Sequence, residues 1–506
     1  MKTILKFWLM VATLVAATSC DNGFEDLNTN KIGVTGINPV FMLNDAVTFT
    51  ALPLGTVIYD VGIMQQIVTP NSGILTGANF NLDNRTATQE LWQRYYRNTI
   101  RNTVSVINQV ANDPTRTNLL QMARILKAFA FMVMTDTYGD VPYSEAGKGF
   151  IDQIVLPRYD PQETIYKEII RELTEASAAL DATKPTESAD ILYIGDVTKW
   201  RKLGYSLLLR AGMRLSLVAP ELAAQTVKLA FEKGVFQSNG DNFMILHNAN
   251  FLNPIGNGLN ATEANNFFLA APFVTHLKTT ADPRLKAIAV RYVGATSGPQ
   301  MVPSRGSTDP EVQIGMPLGY DNNTISGPVA ASKLASFYDY SQVDRNRMVK
   351  LQSPSFLVTY AQTQLLLAEA AQRNWIAGSA ATFYEQGIRA HMEQMALYDA
   401  ACAVPPAATT TYLAANPLVP AKALEQINTQ YWIASFLNGP ETFANFRRSG
   451  FPALPPNPFP GKGIKGNFIN RLTYPNSELS VNSGNLNEAV SRQGPDDLDT
   501  KVWWHK

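Results

Sequence analysis

Cysteine and histidine are scarce in this chain, which has only two cysteines and four histidines among its 506 residues. Cys20 and Cys402 cannot build a disulfide framework, and two thiols are too few for a four-thiolate zinc site. The four histidines share no ligand spacing such as HxxxH. These absences argue against a metalloenzyme and against a disulfide-bonded module. The histidines are His247, His276, His391 and His505.

Net charge is also absent, because 42 Lys and Arg residues balance 42 Asp and Glu residues. A nucleic-acid-binding protein needs a basic surplus to neutralise phosphates, so no nucleic-acid partner is expected. Hydrophobic residues make up 45% of the chain and charged residues 17%, which is enough apolar material for a sizeable core. The length suits two or three domains or one large one.

Catalytic signatures are missing as well, since the chain has no G-x-S-x-G elbow, no Walker loop and no HExxH helix. Gly461–Gly466 formally fits G-x-G-x-x-G, but Pro458 and Pro460 precede it. A dinucleotide site needs a strand before this motif and a helix after it, so a loop is predicted here. Cys402 has no histidine nearby in the sequence and is expected to be a small buried residue. We therefore expect no cofactor and interpret the chain as a non-enzyme.

The acidic residues leave two questions open. Asp496, Asp497 and Asp499 could hold a hard cation through oxygens, but their spacing does not follow the calcium-loop template. A solvated acidic loop is the preferred interpretation, and no metal site is expected. Paired carboxylates are too common among 42 acidic residues to exclude glycosidase chemistry, so a surface glycan hydrolase stays an alternative.

The N-terminus has the pattern of a secretion signal over residues 1–19. Lys2 and Lys6 precede the apolar run Phe7–Ala17, which is too short to span a membrane. The small residues before Cys20 are typical of a lipoprotein cleavage site, so Cys20 is predicted to become the acylated N-terminus. An ordinary secreted protein with one stray cysteine is the alternative. No later segment contains 18 consecutive apolar residues, so the lipid is expected to anchor the chain.

Apolar residues recur every three or four positions over several long stretches, which predicts an all-α scaffold of helical hairpins. The predicted helix Thr198–Val218 opens with Trp200, Leu203 and Gly204, the start of a tetratricopeptide pattern. Asp160 is predicted to cap the helix that follows Pro161. The basic side chains of 198–218 are predicted to be solvated or paired along the helix: Lys199, Arg201, Lys202, Arg210 and Arg214. The other predicted helices are 90–110, 118–138, 160–180, 356–375, 380–397 and 424–437.

Composition divides the chain into six segments. Residues 1–19 are the predicted signal peptide, and 20–89 are an acidic tether with an N-terminal segment. Residues 90–235 and 351–440 are the predicted scaffold helices. Between them, 236–350 is rich in Gly, Pro, Asn and Ser and is expected to be a loop-rich insertion that binds ligand. Residues 441–506 are expected to be irregular, and the Ala-, Pro- and Thr-rich stretch 403–417 is predicted to be a surface loop.

Aromatic residues in loops beside amides or arginine are the candidate ligand contacts, because a ring can stack on a sugar while polar neighbours orient it. Three such loops occur. The candidates they supply are Phe80, Arg85, Asn250, Phe251, Asn253, Tyr320 and Asn322.

Several motifs resemble the SusD/RagB family of nutrient-binding lipoproteins, in the SusD-like subgroup. The most specific is ILKAFAFMVMTDTYGDVPYSEA at Ile125–Ala146, followed by GDVTKWRKLGYSLLLRAGMRLS at Gly195–Ser216. Further matches in the expected order are YDPQETIYKEIIRELTEA, DPRL, SFLVTYAQTQLLLAEAA, FRRSGFP and RLTYPNSE.

The resemblance implies an all-α fold with four tetratricopeptide-like helix pairs and long irregular insertions. It also implies a surface-exposed, lipid-anchored outer-membrane protein that captures oligosaccharides and acts as the lid of a TonB-dependent, SusC-like barrel. The family includes oligopeptide binders, so an oligopeptide ligand stays open. A pure protein-interaction scaffold is a further alternative.

Overall fold

The computed structural model describes residues 37–70, 77–260 and 266–505. Residues 39–506 cluster into one compact unit, to which all the contacts below belong. The predicted signal peptide 1–19 and Cys20 lie outside the described residues. Among the described helices, none is long and apolar enough to span a membrane.

Helices dominate the described residues, as the sequence predicts. A π-helical segment, Tyr95–Ile100, joins the helices Arg85–Arg94 and Arg101–Val110 into one continuous helix, and a second, Val57–Val61, follows the helix Pro39–Thr48. The helices are α1 (Pro39–Thr48), α2 (Gly77–Phe80), α3 (Arg85–Arg94), α4 (Arg101–Val110), α5 (Thr117–Tyr138), α6 (Gln162–Ala179), α7 (Val197–Arg214), α8 (Pro220–Lys233), α9 (Pro254–Asn260), α10 (Ala271–Thr279), α11 (Arg284–Ile288), α12 (Ser326–Ala331), α13 (Tyr360–Gln372), α14 (Ala380–Gln394), α15 (Pro406–Ala415), α16 (Ala423–Ala434), α17 (Gly439–Ser449), α18 (Asn476–Val481) and α19 (Ser483–Gln493).

Short antiparallel strands connect the helical parts. The strands are β1 (Ile67–Val68), β2 (Val141–Pro142), β3 (Tyr159–Asp160), β4 (Phe243–Ile245), β5 (Phe268–Leu269), β6 (Ala289–Tyr292), β7 (Gly306–Ser307), β8 (Gln342–Val343) and β9 (Ser355–Val358). The pairs are β1 with β5, β2 with β3 and β4 with β9, and β6 lies between β7 and β8.

Consecutive helices pack against each other as hairpins. α4 packs on α5, α6 on α7, α13 on α14 and α16 on α17, while α5 also packs on α6 and α7 on α8. These contacts confirm the predicted helical-hairpin scaffold. Gly204 allows α7 to approach α6 closely, because a Cβ there would lie 1.9 Å from the Ser177 hydroxyl oxygen. The tetratricopeptide-like residues Trp200 and Leu203 are fully buried in the same core.

Tertiary contacts change the predicted helix starts at two places. Phe356 belongs to β9, which pairs with β4, so α13 begins only at Tyr360. The predicted cap at Asp160 is wrong, because its carboxylate accepts the backbone N–H groups of Tyr143 and Ser144 at 3.0 and 2.8 Å. The Asp140 carboxylate accepts the N–H of Gln162 at the start of α6. A residue 22 positions upstream therefore replaces the local cap.

Two stretches expected to be irregular contain helices. The stretch 403–417, predicted to be a surface loop, contains α15, with Pro406 at its first position and Tyr412 buried. Proline is favourable at the first helical position, which explains how a Pro-rich stretch starts this helix. The segment 441–506 contains most of α17 and all of α18 and α19.

Two arginines of α7 are buried, not solvated. Arg214 is 1% exposed and donates to Asp136 of α5 at 3.0 Å and to Glu441 of α17 at 2.8 Å. Arg210 lies 3.2 Å from the same Glu441 carboxylate. The expectation of solvated or helix-paired residues is wrong for these two because carboxylates on other helices meet them inside the core.

The loop-rich region 236–350 covers a second, smaller core. Its buried members come from β1, β5, the residue before α10 and the segments between Met316 and Tyr340, and half-buried Tyr320 and Phe337 pack against them. The buried residues are Val68, Phe268, Ala270, Met316, Leu318, Ile325, Leu334 and Tyr340. This small core supports the surface on which the best candidate site is built.

Candidate functional site

The short helix α2 is the centre of the candidate site, and it packs against the π-helical segment Val57–Val61. The hydroxyl of Tyr59 donates to the Leu82 carbonyl just after α2. Gly77 lies against the Tyr59 ring, where a Cβ would come within 2.5 Å of the ring carbons. Only glycine permits so close an approach, so Tyr59 determines where α2 lies.

Phe80, the last residue of α2, stacks on Phe459. Their ring centroids are 3.9 Å apart and the ring planes differ by 8°. Both rings are half-buried, so the pair keeps part of its apolar surface open to solvent. A parallel pair at this distance leaves no room for a ligand between the rings, and a ligand must stack on their outer surfaces.

The backbone of Tyr320 is bonded to α2 through Asn79, and the half-buried Tyr320 side chain packs against the second core. The Asn79 side chain donates to the Tyr320 carbonyl at 2.7 Å and accepts the Gly319 N–H at 2.8 Å. The Asn322 N–H donates to the Pro70 carbonyl at 2.6 Å, and the Asn322 side chain is exposed. We call Phe80, Phe459, Tyr320 and Asn322 the aromatic site.

Three sequence candidates thus come together, namely Phe80, Tyr320 and Asn322. Sequence reasoning missed Phe459, which lies in the proline-rich stretch PALPPNPFPGKG. The signal was an aromatic residue two positions after Asn457 in a loop, the same pattern that selected the other candidates. Pairing across 379 positions cannot be read from one sequence, because only the fold brings Phe459 to Phe80.

Arg85 is used for internal contacts. Its guanidinium lies 3.2 Å from Asp83 and 2.6 Å from Asp496, and it also donates to the Tyr474 carbonyl. Arg471 donates to Asp496 as well. The carboxylate of Asp496 therefore pairs with two arginines, whereas the sequence predicted that it would be solvated.

Asn250, Phe251 and Asn253 lie in a separate loop after β4. Phe251 packs on the His247 ring at 5.2 Å, and burial lowers the pKa of His247 to about 4, so the ring is neutral at pH 7. Asn253 is buried and donates to the Ser353 carbonyl at 2.8 Å. Asn250 is exposed. Residues 351–355 and Phe49 pack against this loop, and we call it the Asn253 loop.

The acidic cluster, the glycine-rich hexamer and Cys402 were each a possible chemical site in the sequence. In the part of the chain that the structure describes, no group of three or more His, Cys, Asp or Glu side chains could hold a metal ion. Asp499 accepts the N–H groups of Lys465 and Gly466. Gly461–Gly466 is a loop, as predicted. Cys402 is fully buried, and burial raises the pKa of its thiol to about 11.

Comparisons with known proteins agree with this architecture. The SusD-like family described as "Starch-binding associating with outer membrane" matches residues 36–475. A solved chitin-binding protein is 32% identical, with a TM-score of 0.82 over 92% of this chain and 100% of that chain. A comparison with curated protein sequences gave no significant match.

Two further solved structures have the same fold. A SusD-like protein, Bacteroidetes AC2a, is 25% identical, with a TM-score of 0.79 over 93% of this chain and 100% of that chain. A chitin-binding SusD homologue from Flavobacterium johnsoniae is also 25% identical, with a TM-score of 0.75 over 92% of this chain and 97% of that chain. With a family match over residues 36–475 and a helical-hairpin fold shared with these structures, this chain belongs to the SusD-like family.

Proposed function

We propose that this protein captures oligosaccharides at the outer membrane through the aromatic site. The observation that carries the proposal is the half-buried stack of Phe80 on Phe459, with Asn79 of the same short helix bonded to the backbone of half-buried Tyr320 and with the exposed Asn322 two positions further along. Aromatic faces pack on the apolar C–H faces of sugar rings, while an exposed amide can donate to and accept from sugar hydroxyls. Membership in a family described as starch-binding supports a glycan ligand.

The descriptions of similar proteins indicate which class of ligand to expect. Two of the similar structures are described as chitin-binding, and the family description names starch. Both polymers are neutral chains of glucose-type rings, which suits a site of rings and amides. An oligopeptide ligand has no such support and becomes one arm of the test.

The remaining parts of the proposal concern location and transport. Cys20 is the proposed lipidation site, and the lipid anchor holds the surface-exposed protein at the outer membrane. There it delivers bound glycan to a TonB-dependent, SusC-like barrel and acts as its lid. Capture of this kind needs no acid–base chemistry, so we propose a non-catalytic role.

Titration calorimetry tests the ligand. The mature chain with Cys20→Ala is titrated with chitohexaose, maltoheptaose and a tryptic peptide digest, and we expect heat with one or both glycans. Phe80→Ala should weaken glycan binding about tenfold, since an aromatic stacking contact contributes about 0.5–1.5 kcal/mol beyond burial of its area. Phe251→Ala is the matched control in the Asn253 loop and should leave the Kd within about twofold. Heat with peptides alone would reject the proposal.

The anchor is tested separately in cells. Cys20→Ala should abolish retention in the outer-membrane fraction, because no acyl chain can then be attached at the proposed site. Circular dichroism of the released protein should match that of the wild-type chain. Retention of the variant in the outer membrane would reject the lipid anchor without affecting the glycan proposal.

A further inference from the structure

The loop that carries Phe459 depends on side-chain hydrogen bonds for its attachment to the rest of the fold. We call residues 452–460 the proline loop, because five of its nine residues are proline. Proline has no backbone N–H, so this loop can donate few backbone hydrogen bonds. Side chains of other segments donate hydrogen bonds to its carbonyls instead. Gln65, for example, donates to the Pro455 carbonyl at 2.6 Å.

Asn457 connects the proline loop to α2. Its amide group donates to the Asn79 carbonyl at 2.6 Å and lies 3.3 Å from the Ala78 carbonyl. Its carbonyl oxygen accepts the Phe459 N–H at 3.0 Å. One 7% exposed side chain therefore fixes the Phe459 backbone relative to the helix that carries Phe80.

Asn79 has the corresponding role toward Tyr320. Its amide group donates to the carbonyls of Thr69 and Tyr320 at 2.9 and 2.7 Å, and its oxygen accepts the Gly319 N–H. The side chain is 3% exposed. Asn79 and Phe80 are adjacent in sequence, so α2 joins both halves of the aromatic site.

We infer that Asn457 and Asn79 are positioning residues for the glycan, with divided roles. Asn457 acts through Phe459 and the ring stack, whereas Asn79 acts through Tyr320. Both are uncharged amides because each must donate to carbonyls and accept an N–H at the same time, which a carboxylate cannot do. The inference rests on the proposed function, since it assigns roles to residues behind the proposed binding surface.

Double-mutant cycles on glycan affinity test this division. The mature chain carrying Cys20→Ala is the background, and Kd values for chitohexaose and maltoheptaose are measured by calorimetry. We expect Phe459→Ala and Asn457→Ala each to raise the Kd about tenfold, and the double variant to be no worse than Phe459→Ala alone. In contrast, Asn457→Ala combined with Tyr320→Ala should multiply the separate effects. Asn79→Ala should show the reverse pattern, coupled to Tyr320 and multiplicative with Phe459.

Asn253→Ala is the matched control. Asn253 is also a 6% exposed amide that donates to one backbone carbonyl and accepts one N–H, but in the Asn253 loop. It should lower the unfolding temperature as the other two variants do and leave the Kd within about twofold. All Kd values are taken well below the unfolding temperatures. If Asn457→Ala does not fold, Asn457→Ser keeps one hydroxyl donor and acceptor and enters the same cycle.

The outcomes separate the inference from the proposed function. Suppose that Phe459→Ala weakens binding, but that Asn457→Ala raises the Kd by the same factor in the chain with Phe459 and in the Phe459→Ala variant. Asn457 then does not act through Phe459, and the inference fails. If the wild-type chain binds glycan and neither Phe459→Ala nor Tyr320→Ala changes the Kd, the aromatic site is wrong and the inference falls with it. If the wild-type chain binds neither glycan, the proposed function itself fails.

Discussion

The helical scaffold and the asparagines around α2 satisfy buried polar groups in different ways. In the scaffold, buried groups of opposite charge form ion pairs: both guanidinium Nη atoms of Arg448 donate to the Glu369 carboxylate at 2.7 Å. In the loops, neutral asparagines bond to backbone groups, as Asn79 and Asn457 do.

The difference has a simple origin in the backbone. Within a helix the backbone N–H and C=O groups bond to one another, and the buried side chains of Arg448 and Glu369 bond to each other. Loop backbones leave carbonyls and N–H groups without partners, and an amide can satisfy one of each. The scaffold should therefore be sensitive to charge and pH, and the loops to loss of amides.

The largest expected effect is on the scaffold. Arg448→Ala leaves the 1% exposed Glu369 without its main partner and should lower the free energy of unfolding by about 3–5 kcal/mol. Urea denaturation followed by circular dichroism measures this. Lys167→Ala removes an exposed pair with Glu163 at 2.7 Å and should change it by at most about 0.5 kcal/mol. Equal losses in the two variants would contradict the picture of a charge-dependent core.

A second, smaller effect is the acid sensitivity of the scaffold. Burial alone would raise the pKa of Glu369, but the Arg448 guanidinium and its hydrogen bonds, with Arg373 and Asn428, lower it to about 2. Because the pKa is lower in the folded than in the unfolded chain, the ionised group stabilises the fold above about pH 4.5. That stability, about 3 kcal/mol, is lost as the pH falls from about 4.5 toward 2.

The measurement compares wild type with Glu369→Gln in urea between about pH 2 and 7. Their difference in unfolding free energy should shrink on acidification. The raw curves also contain the contribution of Asp60, where burial raises the pKa to about 7, against a backbone hydrogen bond and the Arg447 charge, which lower it. Asp60 gives the opposite slope, a loss of stability as the pH rises from about 4 to 7, so only the difference between the variants is diagnostic. A constant difference would show that Arg448 does not hold Glu369 in its ionised form.

The smallest effect is expected in the loops. Asn253→Ala leaves the Ser353 carbonyl and the Gly256 N–H without their partner and should cost about 1–3 kcal/mol of unfolding free energy. Neither Asn253 nor its two backbone partners ionises, and His247, which shares the Ser355 hydroxyl with Asn253, is neutral above about pH 7, so this cost should not change between about pH 7 and 9. A cost that varies with pH would mean that the loops also depend on buried charge.

Much of the scaffold was predictable from periodicity. Apolar spacing located α5 within one residue at its start, because a long buried helix has a strong 3.6-residue pattern. It failed at β9, where Phe356 and its neighbours read as the start of α13. A short apolar run is compatible with either state, and only pairing with β4 decides.

The candidate site was predictable only in part. The rule of loop aromatics beside amides selected Phe80 and Tyr320, whose segments meet at α2, and it selected Phe251 equally, whose ring packs on His247 in the Asn253 loop. Arg85 also fits the rule, but its guanidinium forms an ion pair with Asp496. The local sequence indicates which side chains could bind a sugar, but it does not show which of them make contacts within the protein instead.

By itself, the sequence determined the class of this protein: an all-α scaffold, no strong catalytic motif, and motifs of the SusD-like family. These depend on local periodicity and on contiguous residues. Only the tertiary structure decided that Arg214 is buried between Asp136 and Glu441, and that Phe459 stacks on Phe80. Both results depend on contacts between residues 78 to 379 positions apart, and a single sequence contains no record of such distances.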